Sequence, residues 1–264
     1  YISGGSSNTV TLSVMSGGAG GNGGGGALQG NGAGGHGLSI TGSSNNNIEQ
    51  SVMIAGGGGN GGGGNGGGGG GGGRGLHILS GSHNSVSRSV MRGGMGGDSG
   101  PGGSVAAAGG SGAGFDNSGY NTISQSTMTG AAGGGGGPVV PAYGRGVDIT
   151  ASSADTVLGS YIQGSTAAYI SRSTGTVLDS NVVVGTNTVH AGVWVTGGSV
   201  NPSLLSNIVT GGPQGSAIYV DAGNSGLINL STNTLRDAQY GLNVKGQSPG
   251  TRVWITSNTI LPPI

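Results

Sequence analysis

Residues 37–51 read Gly-Leu-Ser-Ile-Thr-Gly-Ser-Ser-Asn-Asn-Asn-Ile-Glu-Gln-Ser, and the same pattern returns along the whole chain of 264 residues. Ser51 belongs to a column of Ser and Asn residues that lie 38, 38, 37, 34, 21, 26, 26 and 25 residues apart. The column consists of Ser13, Ser51, Ser89, Ser126, Ser160, Asn181, Asn207, Asn233 and Asn258. Repeats at such intervals predict a solenoid, in which each repeat forms one coil.

Three apolar columns accompany the Ser/Asn column. Leu38 and Ile40 flank one outward residue, which is the period of a strand with one buried face. A second apolar position, Ile48, precedes Ser51 by three residues, and a third, Met53, follows it by two. Because this odd step cannot keep all three residues inward on one flat strand, the chain must bend at the Ser/Asn position. A short polar residue there can turn inward and bridge the backbone amides of adjacent coils. The sequence therefore predicts an all-β fold, a single parallel β-solenoid of about nine coils, which at ~4.8 Å per coil forms a rod of about 40 Å.

The unit at residues 37–51 resembles the repeats of right-handed parallel β-helix proteins of the pectate-lyase-like superfamily. The resemblance covers essentially the whole chain. It implies an inward ladder at the second turn of each coil and long loops at the third turn. It also implies a polysaccharide groove on the strand face beside those loops. It does not specify a function, because the superfamily includes lyases, epimerases, phage tailspikes and adhesins.

The composition excludes several classes of function. Eight basic and eight acidic residues balance to zero, which gives no electrostatic footprint for nucleic acid and no polybasic membrane anchor. No apolar stretch approaches the ~18 residues that a membrane span needs. Cysteine is absent, and the histidines show no metal-ligand spacing, so we predict neither a cofactor nor a metal site. The chain opens on Tyr1 rather than Met, which favours secretion after removal of a leader.

Most of the 69 glycines fall in four long excursions between coils, at 16–36, 54–74, 92–111 and 129–145. Later connections are short, so we divide the single solenoid, 1–264, into coils with long Gly-rich loops, 1–146, and compact coils, 147–264. All four loops should project from one corner of the rod. They are either flexible linkers or an ordered array of extended glycine segments that pair amide to carbonyl. Their tracts resemble those of glycine-rich surface proteins. No glycine pattern precedes a helix, so a phosphate-binding loop is not expected.

The outward column of the first strand holds three aromatic residues on consecutive coils, Tyr169, Trp194 and Tyr219. Such a ladder can bind a glycan by ring stacking or pack against another subunit. Alternatively, it stabilises the sheet face alone.

Charged residues that could support catalysis are few. Asp116 and Asp148 lie on neighbouring coils near Arg145, and Asp221 lies one coil from Lys245. Such pairs are more often surface ion pairs than catalytic pairs. The four histidines align with no carboxylate, and His77 is expected to be an exposed strand residue. We therefore predict no catalytic residue and no enzymatic activity.

The ends of the chain suggest an assembly. Tyr1 and Ile2 start inside the first strand of a coil, and the last coil ends near Ile260 without a capping helix. Uncapped solenoid ends expose strand edges and apolar core, and a contact between unlike ends generates a filament. Alternatively, caps belong to residues outside this sequence. The predicted interface consists of Tyr1, Ile2, Trp254, Ile255 and Ile260.

We therefore expect a secreted structural subunit that stacks head to tail with copies of itself into an extracellular filament. The first alternative is a surface adhesin that binds glycans along the aromatic ladder. The second is an enzyme similar to polysaccharide lyases.

Overall fold

The computed structural model of the protein describes residues 1–23, 32–62, 67–100, 107–135 and 144–261. Within these ranges 27 strands form three nine-stranded parallel sheets, and each coil contributes one strand to each sheet. The predicted fold is confirmed: the chain is a right-handed parallel β-helix of about nine coils. Parts of the four predicted glycine loops, at 24–31, 63–66, 101–106 and 136–143, lie outside the described residues.

We number the strands β1–β27 in chain order. The first sheet contains β1 (Ile2–Ser3), β4 (Leu38–Thr41), β7 (Leu76–Leu79), β10 (Ala113–Asp116), β13 (Val147–Thr150), β16 (Ala168–Ser171), β19 (Val193–Thr196), β22 (Ser216–Val220) and β25 (Tyr240–Val244). The second contains β2 (Thr9–Thr11), β5 (Asn47–Glu49), β8 (Ser85–Ser87), β11 (Thr122–Ser124), β14 (Thr156–Leu158), β17 (Val177–Asp179), β20 (Ser203–Leu205), β23 (Leu227–Ser231) and β26 (Arg252–Thr256). The third contains β3 (Val14–Ser16), β6 (Val52–Ile54), β9 (Val90–Arg92), β12 (Thr127–Thr129), β15 (Tyr161–Gly164), β18 (Val182–Gly185), β21 (Ile208–Thr210), β24 (Thr234–Arg236) and β27 (Thr259–Ile260).

Neighbouring strands pair in register, so the apolar columns of the sequence become stacks inside the helix. Ile40 lies beside Ile78 in the first sheet, and Met53 lies beside Met91 in the third. Column members are fully buried except in the first and last coils, and they form one continuous core. Burial of each large aliphatic side chain stabilises the fold by about 1.5–3 kcal/mol.

The Ser/Asn column forms a hydrogen-bond ladder at the bend between the second and third sheets. The backbone N–H of Ser51 donates to Oγ of Ser89 at 3.1 Å, and that of Asn181 donates to Oδ1 of Asn207 at 3.0 Å. The residue before a column member turns the chain with a positive φ, as at Gln50, where φ is 49°. The predicted bridging of backbone amides between coils is therefore confirmed.

A second buried ladder, which the sequence analysis does not predict, lies at the bend between the first and second sheets. Oδ1 of Asn84 accepts from the backbone N–H and the side-chain amide of Asn46, at 3.1 and 2.7 Å. The ladder continues through Asn121 to Asp155, whose Oδ1 accepts the same two bonds at 2.9 and 3.0 Å. Oδ2 of Asp155 has no partner of hydrogen-bond geometry among the described residues. Burial raises the pKa of Asp155 to about 6, against the opposing bonds from Asn121.

The described parts of the glycine loops are hydrogen-bonded to one another in three directions. Between coils, the N–H of Gly20 donates to the carbonyl of Gly57 at 2.8 Å. Within one loop, the N–H of Gly35 donates to Gly18 at 2.8 Å, and between loops the N–H of Gly56 donates to Gly35 at 2.9 Å. We call these segments the glycine array; it comprises 17–23, 32–35, 56–62, 67–73, 93–100, 107–110 and 130–135. Over these residues the loops therefore form the ordered array, and not the flexible linkers, of the two interpretations.

Side chains with oxygen acceptors fix the position of the glycine array from coil to coil. Oδ1 of Asn22 accepts from the backbone N–H of Asn60 at 2.9 Å, and Oδ1 of Asn60 accepts from that of Asp98 at 3.0 Å. Oδ1 of Asp98 accepts in turn from Gly135 at 2.5 Å. As in the two buried ladders, a backbone N–H bonds a side-chain oxygen of an adjacent coil, but here the acceptor lies on the preceding coil instead of the following one.

We predict that the Asp155→Asn variant is more stable than the parent at neutral pH. The folded-state pKa of about 6 lies above the ordinary value of 3.8. Ionisation of Asp155 therefore leaves the free energy of unfolding unchanged below about pH 4 and lowers it as the pH rises through about 6. The shift corresponds to about 3 kcal/mol. Asparagine removes the charge and supplies the amide found elsewhere in the ladder. Urea unfolding should show the gain above pH 6 and its disappearance below pH 4. Asp179→Asn on β17 is the control, and an equal gain at every pH would contradict the account.

We also predict that two glycines of one loop differ sharply in their tolerance of a side chain. A Cβ atom at Gly69 would overlap the carbonyl of Gly97, whereas at Gly71 the nearest atom is the carbonyl oxygen of Ala108, 4.0 Å away. Gly69→Ala should therefore destabilise the array by about 1–3 kcal/mol, and Gly71→Ala should stay within about 0.5 kcal/mol of the parent. Amide exchange over 56–73 measures both. Equal exchange in the two variants would mean that the array is not packed as described.

Candidate functional site

The outward positions of the first sheet form a single row along the helix, because the strands pair in register. From β4 to β25 the row reads Ser39, His77, Gly114, Asp148, Tyr169, Trp194, Tyr219 and Asn243. Its first part carries charged side chains and its second part carries the predicted aromatic ladder.

Arg74 fills the gap that Gly114 leaves in this row. A Cβ atom at Gly114 would lie 2.6 Å from Nη1 of Arg74 and 2.7 Å from its Cδ, so the arginine occupies the space of a side chain. Its guanidinium bonds Asp116 and lies 3.4 Å from Oδ2 of Asp148. The last residue of a glycine loop therefore joins two strands of the sheet.

His77 and Asp116 form a close pair beside this arginine. Nε2 of His77 lies 2.9 Å from Oδ2 of Asp116, and the side chains are 15% and 22% exposed. Burial acts to raise the pKa of Asp116, but the bond with His77 and the charge of Arg74 outweigh it and lower the pKa. Asp116 is thus a carboxylate that orients the imidazole. The prediction that His77 is an exposed strand residue without a carboxylate partner is wrong, because Asp116 reaches it from a strand 39 residues away.

Arg145 connects the charged part of the row to the aromatic part. Its Nη1 donates to Oδ1 of Asp148 at 2.9 Å, and that oxygen also accepts from Thr150 at 3.1 Å. The guanidinium carbon lies 3.4 Å from the centroid of the Tyr169 ring, which is a cation–π contact. Arg145 therefore contacts both Asp148 and the ring of Tyr169 and fixes their positions relative to each other.

His36 completes the group. Its Nδ1 accepts a hydrogen bond from the backbone N–H of Arg74 at 3.0 Å, and its ring centroid lies 4.7 Å from that of His77. Burial, followed by the charges of His77 and Arg74, lowers the pKa of His36 to about 4. His36 is therefore neutral at neutral pH, with its proton on Nε2. The charged cluster consists of His36, Arg74, His77, Asp116, Arg145 and Asp148.

The aromatic ladder stands where the sequence predicts it. Successive ring centroids of Tyr169, Trp194 and Tyr219 are 5.7 Å apart, with interplanar angles of 80° and 77°. All three are partly exposed on the outer face of the sheet. Edge-to-face packing of this kind stabilises the row and leaves ring surface available to a ligand.

A cavity of about 300 Å³ lies between the charged cluster and the glycine array. Arg74, Arg145 and Asp148 line one side of it, and the backbones of Gly71 and Gly110 line the other. Side-chain-free segments thus form a close wall beside the charged groups.

The other charged candidates lie outside this cluster. His83 stacks on Tyr120, with centroids 5.0 Å apart and an interplanar angle of 8°. Asp221 accepts from Thr196 at 3.1 Å and from the hydroxyl of Tyr219 at 3.4 Å, and no ion pair with Lys245 is found among the described residues. The described ranges contain no group of three or more His, Asp or Glu side chains that could hold a metal ion. They also contain no helix of the length and hydropathy that crossing a membrane requires.

The five residues of the predicted assembly interface belong to the first and last coils. Tyr1, Trp254, Ile255 and Ile260 are 80%, 58%, 51% and 60% exposed, and Ile2 is half-buried. A single chain does not test whether they contact another copy.

No protein-family model and no curated protein matches this sequence. Solved structures with a similar chain course include alginate epimerases and an alginate lyase. A double mutant of the periplasmic alginate epimerase AlgG is 13% identical at a TM-score of 0.41; the match covers 84% of this chain and 50% of that one. The alginate lyase from Paenibacillus sp. str. FPU-7 is 13% identical at a TM-score of 0.34, with 98% of each chain covered. The A-module of the Azotobacter vinelandii mannuronan C-5 epimerase AlgE6 is 11% identical at a TM-score of 0.30, with 86% and 75% covered.

The chain spans about half the length of the AlgG structure that it matches. At these identities the likeness concerns the β-helical fold alone, so an activity of this chain is a matter for proposal.

These findings correct two predictions. The sequence predicts a filament subunit without enzymatic activity, whereas AlgG, AlgE6 and the Paenibacillus protein, which share its fold, are two epimerases and a lyase. The second prediction fails for a physical reason as well: the sequence analysis takes Asp116, Asp148 and Arg145, on neighbouring coils, for surface ion pairs, but the folded chain adds Arg74 and His77 to them. We therefore withdraw the head-to-tail filament and the statement that the chain is not an enzyme.

Proposed function

We propose that the outer face of the first sheet binds a polysaccharide and that the charged cluster acts on one of its sugar units as an enzyme. The observation that carries this proposal is the continuity of the row, in which a His–Asp pair flanked by two arginines runs directly into three aligned aromatic rings. A linear sugar polymer lying along the helix would contact both parts at once.

His77 is the candidate general base. Its Nε2–H is directed to Asp116, which leaves Nδ1 as the nitrogen that can take up a proton. The carboxylate holds the ring in this tautomer and stabilises the charge that the imidazole gains, as carboxylates do beside catalytic histidines. His36, held neutral, adds no positive charge beside it at neutral pH.

Arg74 and Arg145 are the candidate groups for an acidic sugar unit. Each guanidinium carries five N–H donors, and the bonds to Asp116 and Asp148 leave donors free for a substrate carboxylate. Pairing with arginine makes the proton on the carbon next to that carboxylate easier to remove. His77 would take this proton. In a cleavage, the linkage oxygen then leaves with the electron pair of its bond to carbon and takes up a proton from water, while a carbon–carbon double bond forms. In an epimerisation, water returns a proton to the opposite face of the carbon, which inverts it, and His77 passes its proton to water.

A second candidate is glycan binding without turnover, as in an adhesin, and the aromatic ladder favours it. Ring faces bind sugars of many kinds and need no acid or base. Both candidates act on polymers found outside the cytoplasm, so we propose an extracellular, surface or periplasmic location. The glycine tracts fit that location because they resemble those of glycine-rich surface proteins.

We predict that the protein removes the carbon-bound proton next to the carboxylate of a polyuronate and that His77→Ala lowers the rate by about 10²–10⁴-fold. Polygalacturonate, polymannuronate and polyguluronate are the substrates. Absorbance of unsaturated chain ends reports cleavage, and deuterium uptake from D₂O, followed by NMR, reports proton removal with or without cleavage. Asp116→Asn should impair the reaction as well, because the imidazole loses its orienting carboxylate.

The control is His83→Ala, which removes a histidine outside the charged cluster. Absence of both signals with all three polymers, or a His77→Ala variant as active as the parent, would contradict the enzymatic proposal. Saturable binding of these polymers without either signal would leave the second candidate.

A further inference from the structure

A second cavity, of about 350 Å³, lies beside the far end of the row, on the side of the compact coils. Rings of Trp194, Tyr219 and Tyr240 line it, together with His190 and the side chains of Gln214 and Asn243. Along the first sheet, Tyr219 is three coils from Asp148, which corresponds to about 14 Å. The cavity is therefore separate from the one beside the charged cluster, yet an extended chain on the same face would reach both.

Among the described lining residues of this cavity there is no Asp, Glu, Lys or Arg. Asp221 lies next to Tyr219 but is occupied, since it accepts from the hydroxyl of Tyr219, from Thr196 and from the backbone N–H of Ala222 at 2.8 Å. The lining offers two amides, the hydroxyl of Ser216, the imidazole of His190 and three aromatic rings, which is a surface for an uncharged group with hydroxyls.

Trp194 carries a buried donor without an acceptor. Its Nε1 is fully buried and has no hydrogen-bond partner among the described residues. A buried N–H that has lost water and gained no partner costs free energy, and such groups in a folded protein call for a specific reason. Because Nε1 is buried, it is the ring of Trp194, and not its N–H, that faces the cavity.

We propose that this cavity binds an uncharged sugar unit. The rings of Trp194, Tyr219 and Tyr240 pack on the C–H face of the sugar, and Gln214 and Asn243 bond its hydroxyls. The proposal rests on the proposed function, in that the unit belongs to the same polymer. It adds that this polymer carries neutral units as well as acidic ones, because a polyuronate alone would place a carboxylate in a cavity whose described lining contains no Lys or Arg.

The chain offers a direct probe of the cavity. It contains two tryptophans, Trp194 and Trp254, so a Trp254→Phe protein has Trp194 as its single indole fluorophore. Neutral hexasaccharides of β-1,4-linked glucose, mannose and galactose are titrated at millimolar concentrations. We expect a saturable change of Trp194 emission with at least one neutral hexasaccharide.

Two variants identify the contacts by calorimetry. Trp194→Ala removes the largest ring of the cavity wall, and it should weaken binding about 2- to 12-fold. Tyr240→Ala removes an exposed wall with little effect on the core and should also weaken binding. Tyr161→Phe, on the outer face of the third sheet, should have no effect.

The proposal is overturned if no neutral hexasaccharide gives a saturable change. It is also overturned if neither Trp194→Ala nor Tyr240→Ala weakens binding. Repeating the titration with His77→Ala in the same protein separates the two proposals. If neutral hexasaccharides bind but no polyuronate reacts, only the enzymatic function is overturned. If a polyuronate reacts but no neutral hexasaccharide binds, only the present proposal is overturned.

Discussion

Backbone amides that bond to a side-chain oxygen of the next coil hold this protein in register. Parallel strands alone would tolerate a shifted alignment, but each N–H of the Ser/Asn column points at one oxygen, as from Ser51 to Ser89 or from Asn207 to Asn233. Because these groups are buried, a slip by one residue would leave donors and acceptors unpaired at every coil. The register fixed inside the helix is then transmitted to its outer surface, where residues far apart in sequence become neighbours in one row.

The charged cluster and the glycine array both depend on that register. The position immediately before each coil's first glycine is occupied by His36, Arg74, Ser111 and Arg145 in successive coils. Three of these four side chains belong to the charged cluster, which stands where the loops return to the sheet. The array keeps the loops close beside the cluster because glycine backbones pack without side chains between them. A loop of ordinary composition would occupy the space that is now the cavity beside Arg74 and Asp148.

The sequence predicts the fold well because each column is a local pattern repeated nine times, from Val10 to Ile255 and from Met15 to Ile260. It also predicts the aromatic ladder, since Tyr169, Trp194 and Tyr219 share one position of the repeat. It does not predict the charged cluster, because His77 meets Asp116 across 39 residues and through a different column. Two signals were present: a glycine at position 114, in a column where other coils carry side chains, and the aligned His36, Arg74 and Arg145. The inner ladder ending at Asp155 was equally visible as Asn8, Asn46, Asn84 and Asn121, at intervals of 38, 38 and 37 residues.

The central claim is that the outer face of the first sheet, rather than either of the other two, is the polysaccharide-binding surface. A crystal structure of the protein with a bound oligouronate tests it most directly. The account predicts a sugar chain along the row from His77 towards Tyr169, with a carboxylate against Arg74 or Arg145. A chain bound on the outer face of the second or third sheet, or on the glycine array away from the charged cluster, would contradict it.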